Sequence, residues 1–168
     1  LHRDLKPENV FLLRAETGKK PAVKLLDFGI SKPAPLGGEG TLPDGTSYDS
    51  ITRTGFVMGT PSYMSYEQAR GERDLDARTD VYAVGVLLYE MLLGRLPYAT
   101  KNPAALVVEM RKREPVPPRV LRPEVPEGVE RALWSMLHWD RTQRFGSAKD
   151  ALAALTGGTG QATAGGDD

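Results

Sequence analysis

The 168 residues include no cysteine, only two histidines, few aromatics (7%) and no excess of either charge, with 22 basic and 22 acidic side chains. The missing thiols exclude a disulfide framework and thiolate metal sites, and they suit a reducing compartment. With the charges balanced, nothing global points to nucleic acid or to an acidic partner. Long apolar runs are lacking too. The strongest, around Val81 to Leu93, is interrupted by Tyr82, Gly85, Tyr89 and Glu90 and is too short to cross a bilayer, so membrane contact is not visible. The charged start shows no secretory leader, and position 1 is Leu rather than Met, as expected of a fragment of a longer chain. What is present is 40% hydrophobic residues, enough for the core of one domain.

Two stretches carry chemistry: Leu1-His2-Arg3-Asp4-Leu5-Lys6-Pro7-Glu8-Asn9, and Asp27-Phe28-Gly29 further on. An aspartate can take a proton from a hydroxyl, an asparagine and a second aspartate supply hard oxygen ligands suited to Mg²⁺, and a lysine between them offers a point charge to phosphate. Val10 to Leu13 and Ala22 to Leu26 are short apolar runs separated by Thr17-Gly18-Lys19-Lys20-Pro21, the pattern of a β-hairpin. Such a hairpin has Asn9 at one end and delivers Asp27 at the other. Gly29 then permits a sharp turn beside that acid.

From Pro33 to Ser50 the composition shifts to Pro, Gly, Ser, Thr and Asp, which predicts a long loop. Its Gly37-Gly38-Glu39-Gly40 resembles a phosphate cradle only superficially, since no strand precedes it and no helix follows. Thr79 to Leu93 is the strongest predicted helix, apolar nearly all round and therefore buried, with Asp76 or Thr79 as its cap and Gly94 and Pro97 as its stop. Three more helices are predicted: from Asn102-Pro103 to Arg113, around Val129, Leu133 and Leu137, and from a capping-box-like Ser147-Ala148-Lys149-Asp150 through Leu155. Between the first two, Pro115, Pro117, Pro118, Pro123 and Pro126 predict an extended connection. Residues 156–168 are expected to be a disordered tail.

Taken in order, His2 to Asn9, Asp27-Phe28-Gly29, Gly59-Thr60-Pro61-Ser62-Tyr63-Met64, Glu67, Asp80 and Arg144 resemble the C-terminal lobe of a Ser/Thr protein kinase, over residues 1–155. Tyr63 to Gly71 and Asp76 to Tyr82 look most like bacterial kinases of the eukaryotic-like type. The resemblance implies a mainly α lobe with a small β-hairpin and no N-terminal lobe, divided into a catalytic loop (1–9), an activation segment (27–67) and a helical subdomain (76–155). It implies Asp4 as catalytic base, Lys6 neutralising the transferring phosphoryl group, and Asn9 and Asp27 holding Mg²⁺ (or Mn²⁺) on ATP. Thr60 would hydrogen-bond toward Asp4 and Lys6. Asp80 would accept backbone hydrogen bonds from the catalytic loop, and Glu67 and Arg144 would form a buried ion pair. Arg3 would belong to a basic pocket for a regulatory phosphate on Thr52 or Thr54, with Ser50 a lesser candidate. His2 would orient backbone rather than act as a base, and His138 would be structural.

Tyr66 departs from the family's proline at that position, so the substrate-binding turn is expected to differ modestly. A glycine-rich strand loop, its strand lysine and a partner glutamate are absent from the sequence, leaving half a nucleotide site. ATP–Mg²⁺ binding tighter than about millimolar is therefore not expected of this chain alone. The reaction implied is γ-phosphoryl transfer from ATP to Ser/Thr hydroxyls of protein substrates. It would occur in the cytoplasm, or on the cytoplasmic part of a membrane-anchored kinase. The competing reading is an inactive lobe serving as an interaction module or relic. A small-molecule phosphotransferase is disfavoured by Lys6-Pro7-Glu8 and by the segment from Gly59 to Glu67.

Overall fold

The two apolar runs near the start pair as an antiparallel hairpin, β1 (Val10–Leu12) with β2 (Val23–Leu25), in the computed structural model, which describes residues 1–14, 21–27, 61–100 and 102–157. Val10 faces Leu25, Phe11 faces Lys24 and Leu12 faces Val23. Beyond the strand ends, the Leu26 N–H donates to the Asn9 carbonyl at 2.9 Å. The residue before β1 and the residue before Asp27 are thus fixed side by side, which places Asn9 and Asp27 in one locality.

Helices make up most of the remainder: α1 (Tyr66–Ala69), α2 (Ala77–Leu93), α3 (Pro103–Lys112), α4 (Pro118–Leu121), α5 (Glu127–Leu137) and α6 (Ala148–Gly157). Single 3₁₀ turns form at Pro7–Asn9, Pro61–Tyr63 and Arg141–Gln143. The starts of α2 and α3 have local causes. The Asp76 carboxylate accepts from the Arg78 N–H at α2, and the Asn102 side chain accepts from the Ala105 N–H at α3, where Pro103 supplies a pre-set φ. α2 ends because Gly94 adopts φ 67°, a left-handed conformation that strains any residue with a Cβ.

α2 is the hub. Tyr82, Val86 and Tyr89 pack with Leu106, Val107 and Met110 of α3 and with Tyr66 and Ala69 of α1, while Val81 packs with Met136 of α5 and Ala151 of α6. Each of the Val, Leu and Met side chains, so buried, contributes roughly 1.5–3 kcal/mol. The α2–α5 crossing is close: a Cβ added at Gly85 would lie 2.9 Å from the Met136 Cβ.

Several sequence expectations need correction. α2 begins at Ala77, because Asp76 rather than Thr79 caps it. It is not apolar and buried all round: Met91 is 71% exposed, because the neighbouring helices cover only part of its circumference. The proline-rich connection contains the turn α4, since Pro118 occupies a first helical position where its missing N–H costs nothing. Ser147 accepts the Asp150 N–H, but Asp150 answers through the Ser147 hydroxyl at 2.7 Å rather than through backbone. Thr156 and Gly157, expected to open a disordered tail, instead close α6, the Thr156 hydroxyl donating back to the Leu152 carbonyl at 2.9 Å. The predicted loop at 33–50, including Gly37 to Gly40, and residues 158–168 of that tail lie outside the described residues, as do Lys19 and Lys20. Among the described residues, no helix is long and apolar enough to cross a membrane.

Candidate active site

The loop from His2 to Asn9 is held by side chains from two helices, α2 and α1. The Asp80 carboxylate, in the first turn of α2, accepts from the His2 N–H at 2.6 Å and from the Arg3 N–H at 2.8 Å. Gln68 of α1 donates from Nε2 to the Arg3 carbonyl at 2.8 Å. Arg3 therefore has both backbone polar groups engaged, and it is held at φ 68°, a strained conformation for a residue with a side chain. Asp27 is the other left-handed non-glycine residue among those described, at φ 51°. Backbone strain is thus concentrated directly before Asp4 and at the proposed second metal ligand.

His2 is buried and bridges the two halves of the site. Its Nε2 lies 2.9 Å from the Leu26 carbonyl, and its Nδ1 faces the Asp4 N–H at 3.4 Å. These partners set the tautomer, with Nε2–H donating and Nδ1 accepting. Asn9 is also buried; its Nδ2 donates to the Asp4 carbonyl at 2.7 Å and to Asp4 Oδ2 at 3.2 Å. Lys6 Nζ lies 3.3 Å from the same Oδ2, and both side chains keep 21% of their surface accessible. Asp4 is consequently oriented from its own loop while open enough to meet a hydroxyl.

The donor chemistry fits Mg²⁺ and a polyphosphate. Asn9 spends its amide N–H groups on Asp4, and its Oδ1 makes no hydrogen bond to a described residue, which leaves a hard oxygen for a cation. Asp27 is exposed at the neighbouring strand end. Among the described residues, no group of three or more His, Cys, Asp or Glu side chains could hold a metal. A cation taken up by Asn9 and Asp27 would need phosphate and water oxygens to complete its shell, as Mg²⁺ with a nucleotide does.

Below the loop, Arg144 and Glu67 form a fully buried bidentate pair. Nη1 meets Oε1 at 2.8 Å and Nη2 meets Oε2 at 2.9 Å. The remaining guanidinium N–H groups donate to the His138, Trp139 and Arg78 carbonyls, so all five are used. The Thr79 hydroxyl also donates to Glu67 Oε1 at 3.0 Å. Burial pushes the Glu67 carboxyl up, but the hydrogen bonds and charge of Arg144 outweigh it and hold the group below its ordinary value of 4.5. Tyr66 is buried at the start of α1 and presents its ring to Trp139, centroid to centroid 5.5 Å, in an edge-to-face contact.

Sequence reasoning gives no role to Gln68 and does not foresee the pair formed by Tyr63 and Glu90. A signal for Gln68 was available, because Ser65 and Gln68 form a capping box, a spacing visible in any sequence. The Tyr63 hydroxyl donates to Glu90 Oε2 at 2.6 Å, and burial first, then that bond, push its pKa well up. No local pattern links positions so far apart. Arg3's side chain is exposed and makes no ion pair with a described residue. Thr60, Thr52, Thr54, Ser50, Phe28, Gly29 and Gly59 lie outside the described residues. His138 accepts from the Asp140 N–H at 3.0 Å and stacks on Trp139, a local structural arrangement.

A helical lobe whose hub helix anchors a short Asp/Lys/Asn loop beside a two-stranded hairpin is that of a protein kinase. The protein kinase domain profile matches residues 1–154, and the chain belongs to that family. Its relatives are bacterial enzymes of the Ser/Thr type. It is 40% identical over 147 residues to the serine/threonine-protein kinase Pkn1 of Myxococcus xanthus, covering 88% of this chain and 19% of that protein. Pkn3 of the same organism is 39% identical over 157 residues, covering 92% and 27%. PknB of Mycolicibacterium smegmatis is 36% identical over 155 residues, covering 92% and 22%. The chain therefore spans about a fifth to a quarter of the length of these relatives. Among solved structures, the Mycobacterium tuberculosis PknI kinase domain matches the fold with a TM-score of 0.60 at 23% identity, over 95% of this chain and 47% of that one.

Proposed function

We propose that this lobe catalyses phosphoryl transfer from ATP to Ser or Thr hydroxyls of proteins, acting with a second lobe that covers the nucleotide. The observation that carries the reading is the junction of Asn9, Asp4 and Lys6, held from α2 by Asp80. Asp4 orients the incoming hydroxyl and takes up its proton at the carboxylate. Lys6 places positive charge where negative charge spreads on the transferring group. Asn9 and Asp27 would hold Mg²⁺, which when bound supplies neutralising charge to the phosphates. Thr60 would tie the activation segment to Asp4 and Lys6.

The match to 47% of the PknI kinase domain supports the need for a nucleotide-covering partner lobe. Alone, the chain is expected to bind ATP–Mg²⁺ no tighter than about millimolar. The exposed Arg3 supports a regulatory reading in which phosphate on Thr52 or Thr54 pairs with it. The cytoplasm, where ATP is available, is the compartment that suits this chemistry. Phosphoamino-acid analysis of a protein substrate, after reaction with the chain joined to a kinase N-terminal lobe, tests the reading. Phosphoserine and phosphothreonine are expected. Phosphotyrosine alone, or no incorporated phosphate, would overturn it.

A further inference from the structure

A cavity of about 450 Å³ lies between the end of α3 and the end of α5, away from the Asp4 loop. Its floor and sides are aromatic and apolar, from Tyr98, Met110, Trp134 and Trp139, and its rim carries the consecutive cations Arg111, Lys112 and Arg113 against one acid, Glu114. Arg113 is committed to Glu109 at 2.8 Å. Arg111 and Lys112 are exposed, and neither forms an ion pair with a described residue. Cations in a last helical turn are ordinarily favourable simply because they complement the helix dipole. Here Arg111 does more: its guanidinium carbon lies over the Trp139 ring, 4.2 Å from the centroid, a cation–π contact that does not consume its N–H donors.

The walls are fixed by buried interactions. Arg144 donates to the carbonyls of His138 at 2.6 Å and Trp139 at 2.9 Å. The Tyr98 hydroxyl donates to the Arg113 carbonyl at 3.0 Å, and the Tyr89 hydroxyl to the Val116 carbonyl at 2.8 Å. A site held this way loses little freedom when filled, which favours binding.

We propose that this cavity docks an acidic segment of a protein partner, with an apolar side chain seated against the indoles and carboxylates paired to Arg111 and Lys112. Charge complementarity selects the occupant: two cations without an ion-pair partner among the described residues, above an aromatic floor, match a peptide combining acidic and apolar residues better than a wholly apolar helix or a basic tail. Docking here needs no nucleotide and does not depend on phosphoryl transfer.

The test is fluorescence anisotropy without ATP, using the full chain and a labelled peptide Asp-Glu-Asp-Leu-Glu-Asp-Glu. Saturable binding in the range of about 10–100 μM is expected, weakened about tenfold by Lys112→Glu and further by Arg111→Glu/Lys112→Glu, with melting temperature unchanged. Trp139→Leu should weaken it as well, and a peptide with Lys in place of the acids should not bind. Lys112→Glu, at an exposed position, remains informative if the double variant folds poorly. The proposal is overturned by any of four results. These are no saturable binding, binding indifferent to Lys112→Glu, equal binding when the central Leu is replaced by Ser, or displacement by inorganic pyrophosphate as effective as by unlabelled peptide. The last result would mark a small-anion site instead.

Discussion

Glu67 and Arg144 show how much one buried pair can hold. Removing a single partner leaves a charge in the core, so Arg144→Met is expected to cost about 3–5 kcal/mol in chemical denaturation. The pair also predicts acid behaviour. Glu67 is held below 4.5 in the folded protein, so its contribution is fully present above its unfolded value and is lost as pH falls through the folded one. Stability should therefore drop below about pH 4 in the parent and be flatter there in Glu67→Gln, which unfolding curves between pH 3 and 6 would show. A parallel slope in both proteins would contradict the assignment. Tyr82 presents the opposite case. It is completely buried, and its hydroxyl has no hydrogen-bond partner among the described residues. Tyr82→Phe removes only that oxygen and should leave stability unchanged or raise it, whereas a loss above about 1 kcal/mol would mean the hydroxyl is satisfied after all.

At the scale of elements, the α2–α5 crossing sets the position of everything attached to α2, Asp80 included. Gly85→Ala would gain helix propensity of about 1 kcal/mol but must force the Met136 Cβ away, at about 1–3 kcal/mol. The contact is with the first atom of a side chain, which cannot swing aside, so a lowered melting temperature is expected. Asp80→Ala should free the His2 and Arg3 amides, and their hydrogen exchange should accelerate with little change at α3 or α6. The same elements show what could be read from sequence. α3 starts where Asn102-Pro103 predicted, because caps and first-turn prolines act within a few residues. The all-round apolar pattern of α2 predicts full burial, yet Met91 is 71% exposed, since periodicity states that a face is apolar but not which neighbours cover it. α1, with four residues, was too short for any periodic signal, although its Ser65 and Gln68 spacing was visible.

For the molecule as a whole, the site was legible as an ordered set of motif residues. The geometry adds how it is held: strain at Arg3 and Asp27, the His2 bridge to Leu26, and the Gln68 clamp. Those features depend on contacts between distant parts of the chain, which no spacing rule carries. They also give the lobe its logic, because Asp80 supports the loop from α2 while Glu67 and Arg144 tie α1 to the helices behind it. The central claim is that Asp4 is the group that accepts the proton in phosphoryl transfer. The most direct measurement is the single-turnover rate of phosphate transfer from ATP–Mg²⁺ to a Ser/Thr peptide, for the chain joined to a kinase N-terminal lobe. Parent and Asp4→Asn proteins would be compared at saturating ATP. A fall of about 10²–10⁴ in the transfer step with nucleotide affinity unchanged is predicted. Equal rates in the two proteins would contradict it.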